Sequence, residues 1–319
     1  MNNVSQHLVS GALSGFASTI ILQPFDLLKT RIQQPDHLRK FSHNPLSPQS
    51  TFIISTAREI VQNEGLRGLW RGTAASLLRN VPGVALYFTG LNQFRTFLAT
   101  SPYFTPLRAS SSSQSTSTLP KLTAQGNLMA GACTRVAVGL VLNPFSVIKA
   151  RYESSYYSYG SLSEAFIGLI RSGPSEIFRG AIASSLRDAP YAGIFVVFYE
   201  QIKSSLSSAI SAPNSAVAAA VPVSLSAAVH SLSAASAGAL ATLATQPFDV
   251  LKTKMQVRSE TKYRGVWSTV RAVWQQRGVA GFFDGSTLRM SRKIFSSAIG
   301  WAVYEGVLIA VRRPPRDEE

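Results

Sequence analysis

One phrase recurs three times along the chain and limits the folds that the chain can adopt. Its copies begin at Gln23, Asn143 and Gln246 and are QPFDLLKTR, NPFSVIKAR and QPFDVLKTK. A second phrase follows each copy, and its three versions, ending at Gly72, Gly180 and Gly285, are EGLRGLWRG, SGPSEIFRG and RGVAGFFDG. Because both phrases recur in the same order, the chain consists of three copies of one structural unit.

Each copy contains two long apolar segments on either side of a short polar one. We place the repeats at residues 4–99, 122–206 and 225–312, and we expect flexible Ser- or Ala-rich loops at 101–121 and 207–223. Since about 20 residues of helix cross a bilayer, six segments are long enough to do so. Gly, Ser and Thr interrupt all six, which is typical of helices packed closely around a polar interior. A soluble all-helical protein is the alternative.

The composition favours a membrane protein. Hydrophobic residues make up 45% of the chain and charged residues only 15%, yet the net charge is +15. This balance suits contact with anionic lipid or transport of anions. It also suits a nucleic-acid binder, but the basic residues are spread along the chain instead of forming a patch, so we expect no nucleic-acid partner.

Other functional classes find little support in the residues. A single cysteine, Cys133, and four scattered histidines provide no metal-ligand spacing, and no nucleophile–base constellation indicates an enzyme. We therefore predict neither catalysis nor a metal or other cofactor. The N-terminal stretch MNNVSQHLVSG has no Arg-rich amphipathic pattern and no basic n-region, so we expect no cleavable targeting segment there.

The combination Pro-x-Asp-x-x-Lys-x-Arg and Glu-Gly-x4-Trp-Arg-Gly, present three times, resembles the mitochondrial carrier family. The resemblance extends from about Val9 to Val311. It implies an all-α membrane protein with six transmembrane helices in three pseudo-threefold-related repeats, each with a short matrix helix. It further implies a monomer in the mitochondrial inner membrane that works by alternating access. Both termini and the loops at 101–121 and 207–223 would face the intermembrane space.

The first phrase predicts a gate on the matrix side. Proline kinks a helix, so the odd-numbered helices should bend at Pro24, Pro144 and Pro247. An acid and a base three residues apart share a helix face. The resemblance implies that the acid of one odd helix meets the base of the next, so the expected links are Asp26 with Lys149, Asp249 with Lys29, and Ser146 with Lys252.

The middle copy departs from this pattern at two positions. Ser146 replaces an acid, so its link is a hydrogen bond at best, which makes the gate easier to open unless this serine is a neutral change. Nine residues after each proline the family has a glutamine that braces the gate, and this chain has Gln33, Glu153 and Gln256. We expect Glu153 to pair with a basic neighbour and partly replace the missing acid.

The even-numbered helices contain a second gate motif and a lipid motif. The resemblance implies that an aromatic-acid-x-x-base phrase closes the outer side. The phrase is complete only at Tyr199, Glu200 and Lys203. The third copy has Tyr304 and Glu305 but lacks the base, and the first copy has Asn92 in place of the acid, followed by the base Arg95. This outer gate is therefore predicted to be weak. Helix starts bind phosphate through free backbone N–H groups, and the resemblance implies cardiolipin at Arg71–Gly72 and Arg179–Gly180. Asp284 replaces the base in the third copy and argues against a lipid there.

Three arginines are predicted to form the substrate site. Arg79, Arg187 and Arg292 each lie seven residues after the glycine that ends the second phrase, so they occupy equivalent positions on three helices. Charged residues within membrane spans are usually functional, and these positions match the family's substrate contact points. Arginines that extend to the membrane interface are the alternative.

The neighbours of these arginines are Asn80, Asp188 and Lys293, so Asp188 is the one acid at this level. A zwitterionic amino acid would place its carboxylate on Arg187 and its ammonium on Asp188. Asp188 would repel a dicarboxylate, a diamino acid would need a second acid, and a nucleotide would need an apolar slot. The pair resembles that of amino-acid carriers, and glycine, alanine and serine satisfy it equally.

Arg135 is a further candidate. It lies nine residues before Pro144, where the other copies have Gly15 and Gly238. It is either a cavity residue that helps to hold a carboxylate or a structural arginine bonded to helix carbonyls. The remaining alternatives are a carrier for another small amino acid or carboxylate, and a proton-leak or non-transporting member of the fold, which would not need the Arg187–Asp188 pair.

Overall fold

The structure is a computed structural model that describes residues 3–34, 49–101, 103, 122–210, 223–296 and 299. These residues are helical or in turns and include no strand. The predicted loop at 101–121 lies almost entirely outside them, and Tyr304 and Glu305 of the outer gate lie wholly outside them. Residues 207–210, predicted to belong to the second loop, continue a helix that ends at Ile210, and residues 211–222 lie outside the described residues.

Eleven helices of the described residues have defined bounds. In chain order they are α1 (Asn3–Gln33), α2 (Gln49–Glu64), α3 (Thr73–Ala99), α4 (Ala124–Val141), α5 (Asn143–Glu153), α6 (Leu162–Arg171), α7 (Pro174–Ile177), α8 (Ala181–Ile210), α9 (Val223–Ala244), α10 (Gln246–Val257) and α11 (Val266–Arg277). Helix α12 follows at residues 286–296. Short 3₁₀ helices lie at Leu66–Trp70, Thr261–Tyr263 and Gly278–Phe283.

The predicted kinks occur as breaks in two of the three odd-numbered segments. The second segment breaks at Leu142, between α4 and α5, and the third breaks at Thr245, between α9 and α10. Each break falls two residues before the proline of the repeated phrase. Helix α1, by contrast, continues through Pro24 as one element.

A tryptophan supports α1 at this proline. Pro24 has no N–H, so the carbonyl of Ile20, four residues earlier, lacks its helical donor. The indole Nε1 of Trp70 donates to this carbonyl over 3.0 Å. The equivalent aromatic residues of the other copies, Phe178 and Phe283, have no side-chain N–H to donate.

The helices form two compact units. Unit one takes Met1–Pro82, Pro144–Arg179 and Thr253–Glu319, and unit two takes Gly83–Asn143 and Gly180–Lys252. Each unit therefore draws segments from all three copies.

Small apolar clusters position the helices within each unit. In unit one, Val147 and Ile148 of α5 are buried against Ala165 and Leu169 of α6. In unit two, Leu98 and Ala130 lie in one buried cluster that joins α3 to α4. Helix α8 also packs against both α4 and α9 in this unit.

In the described part of the chain, no single helix is long and apolar enough to qualify as a membrane span. The consecutive helices Gln125–Val141 and Asn143–Glu153 meet that criterion only together, as a bent pair.

Candidate functional site

In unit one, Asp26 forms ion pairs with cations on two other helices. Lys149 Nζ lies 2.6 Å from Asp26 Oδ2, and Arg292 Nε contacts Oδ1. The side chains of Asp26 and Lys149 are only 11% and 14% exposed, so water screens their attraction weakly. The structure thus brings together the acid of the first odd helix and the base of the second, and adds Arg292 from the predicted substrate site. The other two predicted links, Asp249 with Lys29 and Ser146 with Lys252, stay predictions.

Glu153 lies beside the same lysine. Its Oε1 is 3.6 Å from Lys149 Nζ and accepts from Gln23 Nε2 over 3.1 Å. Its Oε2 accepts from the Thr30 hydroxyl over 2.7 Å. The side chain is 3% exposed, and a buried carboxylate needs this many partners to offset its lost hydration. Lys149 therefore has a second carboxylate on its own helix, in the copy in which Ser146 replaces an acid.

The glutamines in the brace positions donate to backbone carbonyls of the second phrase. Gln33 Nε2 donates to the Asp284 carbonyl over 2.9 Å, and Gln256 Nε2 donates to the Arg179 carbonyl over 3.5 Å. Each carbonyl belongs to the residue between the aromatic residue and the final glycine of that phrase. The brace therefore joins an odd helix of one copy to the second phrase of another.

In the middle copy, the corresponding link passes through Gln23. The Glu153 side chain has no N–H group and cannot donate to a carbonyl. Instead, Gln23 Nε2 donates both to the Arg71 carbonyl, over 3.0 Å, and to Glu153 Oε1. The Gln23 Oε1 atom accepts in turn from the Ser76 hydroxyl over 2.8 Å. Gly72 is needed here because its φ is +87° and a Cβ on it would lie 3.1 Å from Glu153 Cγ.

In unit two, one guanidinium holds two carboxylates. Arg187 Nε and Nη2 donate to the two oxygens of Asp188 over 2.9 and 3.0 Å. Arg187 Nη1 donates to Asp249 Oδ1 over 3.0 Å. Asp188 is 20% exposed and Asp249 only 1%. The structure thus joins the predicted substrate pair directly to an acid of the predicted matrix gate.

The same pairing of an arginine with an acid occurs in both units. In each, an arginine seven residues after the final glycine of the second phrase bonds to the acid of the next odd helix in the threefold order. The two pairs are Arg187 with Asp249 and Arg292 with Asp26. By the same order, the gate residue that corresponds to the third arginine, Arg79, is Ser146, which has a hydroxyl group instead of a carboxylate. The three arginines are therefore equivalent in sequence position but differ in the charge at the corresponding gate position.

Two further predicted site residues have defined neighbours. Asn80 Nδ2 donates to the Thr19 hydroxyl over 3.2 Å. The guanidinium carbon of Arg135 lies 5.4 Å from the ring centroid of Tyr87. Nothing in the sequence singled out Tyr87, because an isolated tyrosine on an apolar helix has no motif and its partner lies on another helix.

Ion pairs explain the departure at Asp284. In the first copy, Glu64 pairs with Arg31 at 2.6 Å and with Arg71 at 3.5 Å. Arg277 and Asp284 occupy the positions of Glu64 and Arg71 in the third copy and also form an ion pair. The acid and the base have exchanged places, so the interaction persists although the motif changes.

In the middle copy, Glu176 takes the acidic role. It contacts Arg151 and lies 2.7 Å from Arg179. Burial raises the pKa of Glu176. The hydrogen bond and charge of Arg179, together with the charge of Arg151, lower it by a larger amount, so the pKa lies below its ordinary value of 4.5. The side chains of Arg71 and Arg179 thus have carboxylate partners within the protein, which leaves the backbone N–H groups after Gly72 and Gly180 as the predicted lipid donors.

The outer-gate residues make few contacts in the described part of the chain. Arg95 Nη2 donates to Asn127 Oδ1 over 2.8 Å, a partner that the motif does not contain. Tyr199 stacks on Phe195 at a centroid distance of 6.1 Å. Among the described residues, no ion pair involves Glu200 or Lys203. Since Tyr304 and Glu305 lie outside these residues, the weak outer gate stays a prediction.

Comparison with known proteins identifies the family. The family described as mitochondrial carrier protein matches residues 1–102, 120–209 and 223–313. A mitochondrial glycine transporter of Laccaria bicolor is 56% identical over 317 residues, which cover 98% of this chain and 99% of that protein. Proteins of the same name from Mycosarcoma maydis and Ajellomyces capsulatus are 39% and 40% identical, covering 93% and 98% of this chain and 82% and 90% of their own length. These findings confirm the predicted three-repeat fold and a carrier instead of an enzyme: the chain belongs to the mitochondrial carrier protein family.

Proposed function

We propose that the protein imports glycine into the mitochondrial matrix across the inner membrane by alternating access. The observation that carries this proposal is the Arg187 group, in which one guanidinium holds the carboxylates of Asp188 and Asp249. One positive and two negative charges make this group an attractive receptor for an ammonium ion. The relatives named as glycine transporters support the same substrate.

The charges of the group also disfavour other classes of substrate. A dicarboxylate or a nucleotide would bring more negative charge beside Asp188 and Asp249, at a considerable electrostatic cost. The three side chains of the Arg187 group sum to one negative charge, which a single ammonium neutralises, so the second ammonium of lysine would find no further negative charge within the group. A small monoamino, monocarboxylic acid satisfies the group, and glycine delivered to the matrix would supply the first step of haem biosynthesis.

The gate supports the proposed mechanism. The pair of Asp26 and Lys149 closes one link of the matrix-side ring, and transport requires this link to break and re-form. An exposed ion pair stabilises a protein by only about 0–1 kcal/mol, and a partly buried pair resists opening more strongly. We further propose that the carrier acts as a monomer, with both termini in the intermembrane space and cardiolipin phosphates at the helix starts after Gly72 and Gly180.

Uptake by purified protein in liposomes tests the proposal. Labelled glycine should enter, whereas malate, ADP and lysine should not. Asp188→Asn should insert but melt at a lower temperature, because Arg187 loses a charged acceptor. Glycine uptake per correctly folded molecule should also fall strongly, because a charge-assisted hydrogen bond contributes roughly 1.5–3 kcal/mol. The exposed Glu59 on α2 supplies the control, and Glu59→Gln should transport normally. Rapid uptake of malate or ADP without glycine would contradict the proposal.

Two alternatives give different results in the same assay. Carriage of another small amino acid would appear as faster uptake of alanine or serine than of glycine. A proton leak would appear as dissipation of a pH gradient without any substrate, and it would not depend on Asp188.

A further inference from the structure

The Arg187 guanidinium is a poor receptor for a third anion. All three of its nitrogens already donate to carboxylate oxygens, two atoms of Asp188 and one of Asp249, over 2.9–3.0 Å. A substrate carboxylate at Arg187 would therefore meet two like charges at close range. The group suits the ammonium end of a zwitterion, and its carboxylate end requires another cation.

Arg135 in the same unit has the properties that this role requires. It lies on α4, its side chain is exposed, and its guanidinium carbon is 5.4 Å from the Tyr87 ring centroid. Within the described residues no hydrogen bond or ion pair of Arg135 is found. A guanidinium carries five N–H donors in a fork that matches a carboxylate.

Arg135 lies near the acid that is proposed to bind the substrate ammonium. Its positive charge and that of Lys252 both attract the Asp188 carboxylate. A zwitterion between Asp188 and Arg135 therefore meets, at each end, a charge opposite to its own.

Close packing of α3 and α4 holds Arg135 on the tyrosine ring. A Cβ on Gly90 of α3 would lie 3.1 Å from Thr134 Cγ2, the residue next to Arg135 on α4. A Cβ on Gly131, one turn earlier, would lie 3.9 Å from the Tyr87 hydroxyl oxygen. Gly90 therefore allows α3 and α4 to approach closely enough for the ring face and the guanidinium to meet, a geometry that stabilises a cation.

We propose that the substrate carboxylate binds Arg135, which Tyr87 positions, while the ammonium binds Asp188. This inference rests on the proposed function and deepens it. It also changes one expectation from the sequence, because Arg187 no longer receives the carboxylate but holds Asp188 in place.

Competition between glycine and glycinamide tests the assignment. Glycinamide keeps the ammonium but lacks the carboxylate, and the wild type should prefer glycine by tenfold or more. Arg135→Gln should raise the KM for glycine by about tenfold to a hundredfold and largely abolish that preference. Asp188→Asn should instead abolish the preference for glycine over glycolate, which lacks the ammonium.

The tyrosine is tested through the same two ligands. Tyr87→Leu should raise the KM by about two- to fivefold at unchanged maximal rate, and Tyr87→Phe should restore it because the ring face remains. Phe97→Leu is the matched control, an aromatic side chain on the same helix that is 69% exposed. If Arg135→Gln fails to insert, Tyr87→Leu carries the test alone.

Each outcome has one meaning. Absence of glycine uptake by the wild type overturns the proposed function together with this assignment. Normal wild-type uptake with an unchanged preference for glycine over glycinamide in Arg135→Gln overturns the assignment alone. A KM for Tyr87→Leu equal to that of Phe97→Leu removes the positioning role of the tyrosine.

Discussion

Restoring an acid at position 146 should stabilise the carrier and slow it. Two of the three equivalent arginines bond to the acid of the next odd helix, Arg292 to Asp26 and Arg187 to Asp249. Ser146, in the third such position, is 7% exposed. Ser146→Asp should therefore supply a carboxylate for Arg79 and complete the pattern.

The existing pairs set the size of the effect. Asp26 and Arg292 are 11% and 34% exposed, so their pair is more shielded than a surface pair of about 0–1 kcal/mol. Burial of a new carboxylate offsets part of that attraction. We expect a net gain of about 1.4 kcal/mol, which corresponds to a rise of roughly 3–6 °C in Tm. If all of it falls on the opening barrier, transport slows about tenfold.

The assay compares Ser146→Asp with Ser146→Asn, which has the same size but no charge. Thermal unfolding in detergent gives the stability, and the initial rate of glycine uptake by liposomes gives the transport rate. A Ser146→Asp protein that melts no higher than Ser146→Asn refutes the reasoning, because the new carboxylate then has no cation within reach. Equal melting and equal uptake in all three proteins identify Ser146 as a neutral change.

Three further perturbations test the matrix side. Glu153→Gln should lower the Tm, because three polar neighbours lose a charged acceptor worth roughly 1.5–3 kcal/mol; a raised Tm would show that the amide brace outweighs the charge. Trp70→Phe should cost about 0.5–1.5 kcal/mol of unfolding free energy, since the Ile20 carbonyl loses its donor, whereas Trp267→Phe, at a side chain 80% exposed, should cost less. The lowered pKa of Glu176 adds stability that is present above its ordinary value of 4.5 and is lost as the pH falls through the lower folded value. Melting curves from about pH 5 to about pH 3 should therefore show a steeper loss for the wild type than for Glu176→Gln.

The repeated phrases predict much of the fold, because proline, acid and base spacing depends only on local helix geometry. The contact of Asp26 with Lys149 is implied by the family resemblance. The bond from the Trp70 indole to α1 is not predicted, because the indole reaches the helix from a different segment. Tertiary contacts of this kind have no periodic signature in the chain.

The substrate site shows the same limit. The register of the arginines is visible in the sequence, but their partners are not. A side-by-side Arg187 and Asp188 suggested one site for each end of the substrate, whereas the structure shows the two side chains bonded to each other and to Asp249. The contact of Arg135 with Tyr87, on which its proposed role rests, likewise has no signal in the sequence.

The exchanged ion pair of the second phrase has a consequence for how these copies diverged. The first copy has the acid at Glu64 and the base at Arg71, and the third has the base at Arg277 and the acid at Asp284. The exchange requires a change at both positions. If the charge is reversed at one position first, two like charges lie within ion-pair distance, which is destabilising. The two positions are therefore expected to change together or through an uncharged intermediate. The middle copy, with Ser172 at the first position and Arg179 paired to Glu176, has the form that such an intermediate would take.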